Sequence, residues 1–325
     1  MNWVKQLAEG VKKRDFRSLA KAITLVESTL PTDRKLAEDL LSLLPSENKT
    51  IRIGISGIPG VGKSTFIEKL GAQFLQNQPN SKIAVLSIDP SSPLEGGSIL
   101  ADKLRMVELA KSRRVFIRPS PNLGSHGGLS PRARESLLLL EAAEFDFVFV
   151  ETVGVGQAEY HVASLVDMFI LLQMPSTGDE WQVLKKGIPE LADLIVINKA
   201  DGELKQEALK LKQIFETSYG YHNDGHGTQV LTCSAKQNEG LAEIFLKIQE
   251  FISEQKDRNL FLQRRKKQNI FWFEENLALS FKEEIATNKG LSKKLAPFRK
   301  QVEDSGPSAL TAIVDKCLTE LLGPR

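Results

Sequence analysis

Gly57-Ile58-Pro59-Gly60-Val61-Gly62-Lys63-Ser64 reads G-x-x-x-x-G-K-[ST] and lies between a β-rich run and a helical one. The glycines let successive backbone N–H groups turn into one concavity, a geometry suited to a nucleotide β-phosphate. Pro59 and Val61 complete the loop. The Lys63 ammonium is expected to reach the β- and γ-phosphate oxygens, the Ser64 hydroxyl to ligate Mg²⁺, and Thr65 to join the same nucleotide-binding set.

Asn198-Lys199-Ala200-Asp201 follows the apolar run Leu194 to Ile197. In N-K-x-D at a strand end, the Asp201 carboxylate accepts from the N1–H and 2-amino groups of guanine. Adenine offers neither donor, so a buried acid would be left unpaired against it. Asn198 and Lys199 are expected to brace the loop and cover the ring. Ser234, Ala235 and Lys236, after the run Val230 to Thr232, offer a backbone N–H for the guanine O6. The ligand expected is therefore GTP or GDP.

Three acids complete the expected set. Glu151 ends the run Phe145 to Val150, where an acid can hold Mg²⁺ directly or through water, and Gly154 can offer its N–H to the γ-phosphate. Asp89 ends the run Ile83 to Ile88, at the crevice where parallel sheets bind ligands, and can assist Mg²⁺ or orient the attacking water. Asp102 is a second acid on the metal side. Gln157 is a candidate to position that water. The catalytic set is thus Lys63, Asp89, Glu151 and Gly154, and the metal set Ser64, Asp89, Asp102 and Glu151.

These residues need strands to carry them. Six short runs qualify: 51–56, 83–88, 145–150, 169–172, 194–197 and 230–232. They are nearly continuous in apolar residues, as in a parallel sheet covered on both faces, and helical segments such as 65–75 and 132–143 alternate with them. The expectation is a doubly wound, mostly parallel α/β domain over 49–255, with a helical extension at 1–48 and a helical arm at 256–325.

In the extension, Val4, Leu7 and Val11, then Phe16, Leu19, Ile23 and Val26, share one helical face. Pro31 breaks the pattern, and Thr32 or Asp33 is the expected cap of the next helix. In the arm, Ile270, Phe273, Leu277, Phe281 and Ile285 share a face, and so do Leu310, Ile313, Val314, Cys317 and Leu321. The run Arg264 to Lys267 reads as a solvated helix face, and His222 and His226 read as solvated loop residues.

Composition narrows the function classes. The 325 residues carry 43 Lys+Arg and 41 Asp+Glu, a net charge of +2, so no bulk positive field speaks for nucleic acid. Two cysteines exclude a disulfide framework and point to a reducing, cytoplasmic setting. No apolar run is long enough for a membrane span, and no membrane role is expected.

The same residues resemble the MeaB/ArgK family of P-loop GTPases. The likeness is carried by 55–57 with 59–64, Ile88-Asp89-Pro90-Ser91-Ser92, 96–100, Asp102-Lys103, Arg118-Pro119-Ser120-Pro121, Glu151 through Gln157, Gly178-Asp179-Glu180 and Lys185-Lys186-Gly187. The helical lead-in Leu19 to Ser28 is similar too. Ala101, Leu104, Leu123, His126, Ser176 and Trp181 depart from the family's usual residues. The resemblance implies a G-protein chaperone of an adenosylcobalamin-dependent acyl-CoA mutase such as methylmalonyl-CoA mutase, with GTP hydrolysis gating cofactor loading. It implies a homodimer paired through the C-terminal helices. It also implies a mobile switch loop near 175–186 with Asp179, Gln182 and Lys185 as its polar positions. Three rival readings stand beside it: a small-molecule kinase of the same fold, a nickel-inserting GTPase chaperone, and a scaffold that only binds nucleotide.

Overall fold

The computed structural model describes residues 2–45, 49–89, 106–121, 131–152, 158–175, 187–220, 228–306 and 309–323. By packing, the chain divides into two compact units, Met1–Gln268 and Asn269–Arg325.

Among the described residues the first unit has seven strands: β1 (Ile51–Ser56), β2 (Ile83–Asp89), β3 (Val115–Pro121), β4 (Phe147–Thr152), β5 (Met168–Gln173), β6 (Leu194–Ile197) and β7 (Gln229–Thr232). Their order is β3-β2-β4-β1-β5-β6-β7, and each pairing is parallel. The chain's progress reverses about β1, which has β4 on one side and β5 on the other. Open parallel sheets bind ligands beyond the carboxyl ends of their strands at such a point.

Both faces are covered, which explains the continuous apolar runs. Ile53, Ile55, Phe149, Ile170 and Val196 pack with Phe66 and Phe74 of α4 (Lys63–Asn77) and with Ile244 and Phe245 of α9 (Leu241–Asp257). The Phe74 ring meets Phe147, Phe149 and Phe245 edge-on, at 4.5, 5.6 and 4.9 Å. Each such buried ring contributes about 1.5–3 kcal/mol. Residues of the other parity, Val148, Val150, Phe169 and Ile195, are buried on the opposite face.

Helices α1 (Asn2–Lys12), α2 (Phe16–Glu27) and α3 (Pro31–Ser42) form the N-terminal layer. Asp15 caps α2, accepting from the Ser18 hydroxyl at 2.6 Å and from Ser18 N at 2.8 Å, and these bonds, the hydroxyl's first, lower its pKa. Leu19, Ile23 and Val26 are buried, as their spacing predicts. The expected Thr32 or Asp33 cap is not used. Leu30 is the N-cap, Pro31 sits in the first turn where a missing N–H costs nothing, and Asp33 instead accepts from the Ser28 hydroxyl. Arg14, at φ 56, donates to Ala143 O and Glu144 O at 2.6 and 2.7 Å and lies over the Phe145 ring. These contacts tie the turn between α1 and α2 to the chain just after α6 (Pro131–Ala142).

Strand β3 is not among the expected runs. Pro119 and Pro121 interrupt it, and proline cannot donate to a ladder. Among the described residues β3 lies at the sheet edge and pairs with β2 alone, and edge strands tolerate proline.

The run from Arg264 to Lys267 also differs from expectation. It begins the long α10 (Leu260–Thr287), and its two arginines are not solvated. Arg265 makes a fork on the fully buried Asp167 carboxylate, 2.7 and 2.5 Å, and reaches Thr50 O. Arg264 donates to both oxygens of Asp193, 3.1 and 3.0 Å, and to Asp167 O. Asp167 in turn accepts from Arg52 N, and Asp193 from Phe169 N. The amino ends of β1, β5 and β6 are thus stapled by guanidinium groups from one helix.

In the second unit, α11 (Lys289–Asp304) starts on an Asn288 cap and α12 (Leu310–Leu322) follows. Along α10, the stripe Ile270, Phe273, Leu277, Phe281 and Ile285 forms one helical face, as predicted, and it is exposed, from 37% at Ile285 to 65% at Phe273.

Candidate functional site

The described site residues lie on the side of the sheet where the strands have their carboxyl ends. Between β1 and α4 the chain turns through Gly57, Gly60 and Gly62, all at positive φ. At two of these positions a side chain has no room. A Cβ on Gly57 would sit 2.4 Å from Leu172 O, and one on Gly62 2.7 Å from Asn198 Nδ2. The loop thus folds tightly against β5 on one side and the N-K-x-D segment on the other. Pro59 and Gly60 are exposed at its tip, while Val61 is buried beneath.

Lys63 opens α4, where the helix dipole favours anions. Its ammonium crosses back over the loop to Gly57 O at 2.7 Å and Ile58 O at 3.2 Å, and 9% of the residue is exposed. A cation held over a tight turn at a helix N-terminus makes a place that attracts anions. Thr65, one turn in, is exposed.

Ser64 and Glu151 are 87 residues apart, yet the Ser64 hydroxyl donates to Glu151 Oε1 at 2.9 Å. They meet because β1 pairs β4, with Ile55 opposite Glu151. Strand β4 runs two residues further than the expected run, so Glu151 lies within it and is 6% exposed. Ser87 of β2 donates to Glu151 Oε2 at 3.4 Å. A hydroxyl and a carboxylate converging on one point are hard oxygen donors, the set that suits Mg²⁺.

The guanine-type motif is also assembled. Asn198 is the hub: its Nδ2 donates to Val61 O at 2.8 Å, and its Oδ1 accepts from Ala235 N at 3.0 Å. One amide side chain therefore joins the phosphate-type loop to the Ser234-Ala235-Lys236 turn. Lys199 takes a left-handed φ of 60°, turning the chain so that Asp201 faces Ser234, whose hydroxyl donates to Asp201 Oδ2. A short bridge from Ser234 to Glu239 closes that turn, and Lys236 lies exposed on it. Beside Asn198 Oδ1 sits Cys233 Sγ, 3.4 Å away. Burial pushes this thiol up to about 12, so it stays a neutral donor.

Asp89 is the last residue of β2 and pairs with Pro121, which puts its backbone at the same end of the sheet. Asp102, Gly154, Gln157, Asp179, Gln182 and Lys185 lie outside the described residues, as do His222 and His226.

Three buried polar groups beside the site are not singled out by the sequence reading. Ser56 and Thr152 close β1 and β4, Ser87 lies two residues before the end of β2, and Thr152 Oγ1 donates to Ser56 Oγ at 2.9 Å. They do carry a signal: each is a hydroxyl in the carboxyl-terminal half of a mostly apolar run.

Comparison with known proteins gives the following. The family model described as methylmalonyl Co-A mutase-associated GTPase MeaB matches residues 19–289. A probable GTPase of Mycobacterium tuberculosis is 45% identical over 270 residues, covering 82% of this chain and 80% of its own. The GTPase ArgK of Escherichia coli is 44% identical over 273 residues, 82% of each. The mouse mitochondrial methylmalonic aciduria type A homolog is 38% identical over 298 residues, 86% of this chain and 71% of its own. The crystal structure of a protein described as LAO/AO transport system kinase superposes with a TM-score of 0.75 at 33% identity, covering 96% of both chains.

Proposed function

The chain belongs to the MeaB family of P-loop GTPases, and from that premise we propose that its hydrolysis of GTP serves as a gate on an adenosylcobalamin-dependent acyl-CoA mutase, methylmalonyl-CoA mutase being the leading candidate. In this role the protein governs cofactor loading and protects the mutase from inactivation. The observation that carries the nucleotide half is Asn198. It binds Val61 O and Ala235 N at once, so a phosphate-type loop and a guanine-type pocket are parts of one rigid site. The mutase half is supported by the family description and by the names of the mammalian and nematode relatives.

The chemistry asked of the chain is modest. Asp201 and the 235 N–H select guanine. The loop N–H groups and Lys63 neutralise charge that grows on the phosphate oxygens as water attacks the γ-phosphate. Ser64 and Glu151, with Asp89 and Asp102 in support, are the residues that would hold Mg²⁺, which when bound supplies further charge neutralisation at those oxygens. Gly154 and the polar positions Asp179, Gln182 and Lys185 carry the nucleotide state outward.

The apolar stripe of α10 supports a homodimer. Five large apolar side chains at helical spacing give an exposed seam of the kind that pairs helices. A monomer at micromolar concentration in sedimentation equilibrium would remove this part of the proposal. A reducing, cytoplasmic-type compartment belongs to the same reading, as does the absence of nucleic-acid and membrane partners.

The test is phosphate release from GTP by the purified protein, alone and with an adenosylcobalamin-dependent acyl-CoA mutase of the same organism. The expected result is slow turnover alone and a clear increase with the mutase. Equal rates in both would remove the mutase from the reading and leave the GTPase. The kinase reading has one observation in its favour, the name borne by the crystal neighbour. That reading requires turnover to depend on a small phosphoryl acceptor other than water.

A further inference from the structure

Helix α2 ends on Glu27, an acid at the end of a helix where the backbone dipole disfavours negative charge. The residue is buried, 7% exposed. It is held there by two side chains of β3: Arg118 Nη2 binds Oε2, and Ser120 Oγ donates to Oε1 at 2.6 Å. Arg118 and Ser120 are two residues apart and so face the same side of the strand. The Arg118 Nη2 also reaches Thr24 Oγ1 at 3.3 Å, and Arg132 donates to Val26 O at 3.1 Å. Arg118 Nε is buried without a hydrogen-bond partner among the described residues. Burying an ion pair with a spare donor is a poor way to gain stability, and its better-attested use is to fix one geometry.

The geometry fixed is that of β3's carboxyl end. Ser120 pairs with Ile88 and Pro121 with Asp89. Among the described residues this edge strand pairs with β2 alone. Contacts from α2 therefore do part of the holding that a further strand would do. We infer that Glu27 is a positioning residue of the GTPase: from the N-terminal layer it sets the end of β3 and, through the β2–β3 register, the placement of Asp89 at the metal side of the site. The inference rests on the GTPase reading and on the role proposed for Asp89.

It makes the N-terminal helices part of the catalytic unit. The nucleotide-binding groups on the phosphate-type loop and around Asn198 do not touch α2, so binding and turnover should separate. The variant is Glu27→Gln, which keeps the shape and removes the charge. Steady-state GTP turnover, GDP affinity by fluorescent-nucleotide displacement, Mg²⁺ half-saturation and thermal midpoint are measured side by side with the unaltered protein. The expected result is a kcat about tenfold lower and a raised Mg²⁺ half-saturation, with GDP affinity and KM for GTP within about twofold. Glu27→Asp should recover part of the rate.

An unchanged kcat with a lowered thermal midpoint would overturn the inference and leave Glu27 a packing residue. If Glu27→Gln does not fold, Ser120→Ala removes one contact without stranding a charge, and the same split is expected at about a twofold to threefold lower kcat. An unchanged kcat there overturns the inference equally. Absence of GTP turnover in the unaltered protein would instead defeat the GTPase reading, which the parallel measurement separates.

Discussion

The two ends of the central sheet both bury charge, and they hold it in different ways. At the amino ends of the strands, Asp167 and Asp193 are gripped by Arg265 and Arg264 in paired, fixed contacts that also capture Arg52 N and Phe169 N. At the carboxyl ends, Glu151 is met by the hydroxyls of Ser64 and Ser87, and Asp201 by the hydroxyl of Ser234. A guanidinium fork saturates a carboxylate and keeps its own charge, whereas a hydroxyl turns on its bond and yields its place to a ligand. One end of the sheet is built to stay as it is. The other is built to exchange partners.

Substitutions at each end of the sheet test this difference. The largest effect on stability is expected from Asp167→Asn, which leaves the Arg265 charge buried without its counter-charge. Unfolding by urea should show a loss of about 3 kcal/mol, while GDP affinity of the folded protein stays within about twofold. A large loss of nucleotide affinity without loss of stability would erase the distinction between the ends.

Lys63→Ala should do the reverse. Turnover of GTP falls about a hundredfold, because the ammonium crossing the phosphate-type loop is removed, and the urea midpoint moves little. Near-normal phosphate release from this variant would make the loop a structural turn.

The smallest effect is expected from Ser87→Ala. Its 3.4 Å contact to Glu151 is long for an O–H donor, so the Mg²⁺ half-saturation of turnover should rise by about twofold or less. A tenfold change would promote Ser87 from a neighbour of the acid to a principal holder of it.

Much of the exchanging end is legible in the sequence. Phosphate loops and guanine motifs are contiguous, and their residues do their work through backbone turns a few positions long. Gly57 to Ser64 and Asn198 to Asp201 can be read without knowing what lies beside them. Ser64 and Glu151 require one further step, the adjacency of β1 and β4. Ser56, Ser87 and Thr152 escape notice because a lone hydroxyl near the end of a strand carries no spacing of its own.

The fixed end is hardly legible. Arg264 and Arg265 look like a solvated run, since a sequence records a charge and not its distant partner. Asp167 and Asp193 lie 97 and 71 residues from their bonds to Arg264. Strand β3 escapes for a related reason: its prolines speak against a strand unless its place at the edge is already known.

Those prolines have a consequence for what the molecule can join. An open parallel sheet ends in a strand whose unpaired backbone invites another chain to lie alongside it, the route to strand addition and fibrous aggregation. At β3 that invitation is weakened, because two of the strand's seven residues, Pro119 and Pro121, have no N–H to offer. The growing, self-templating kind of association finds a poorer template at this edge than an unbroken strand would give.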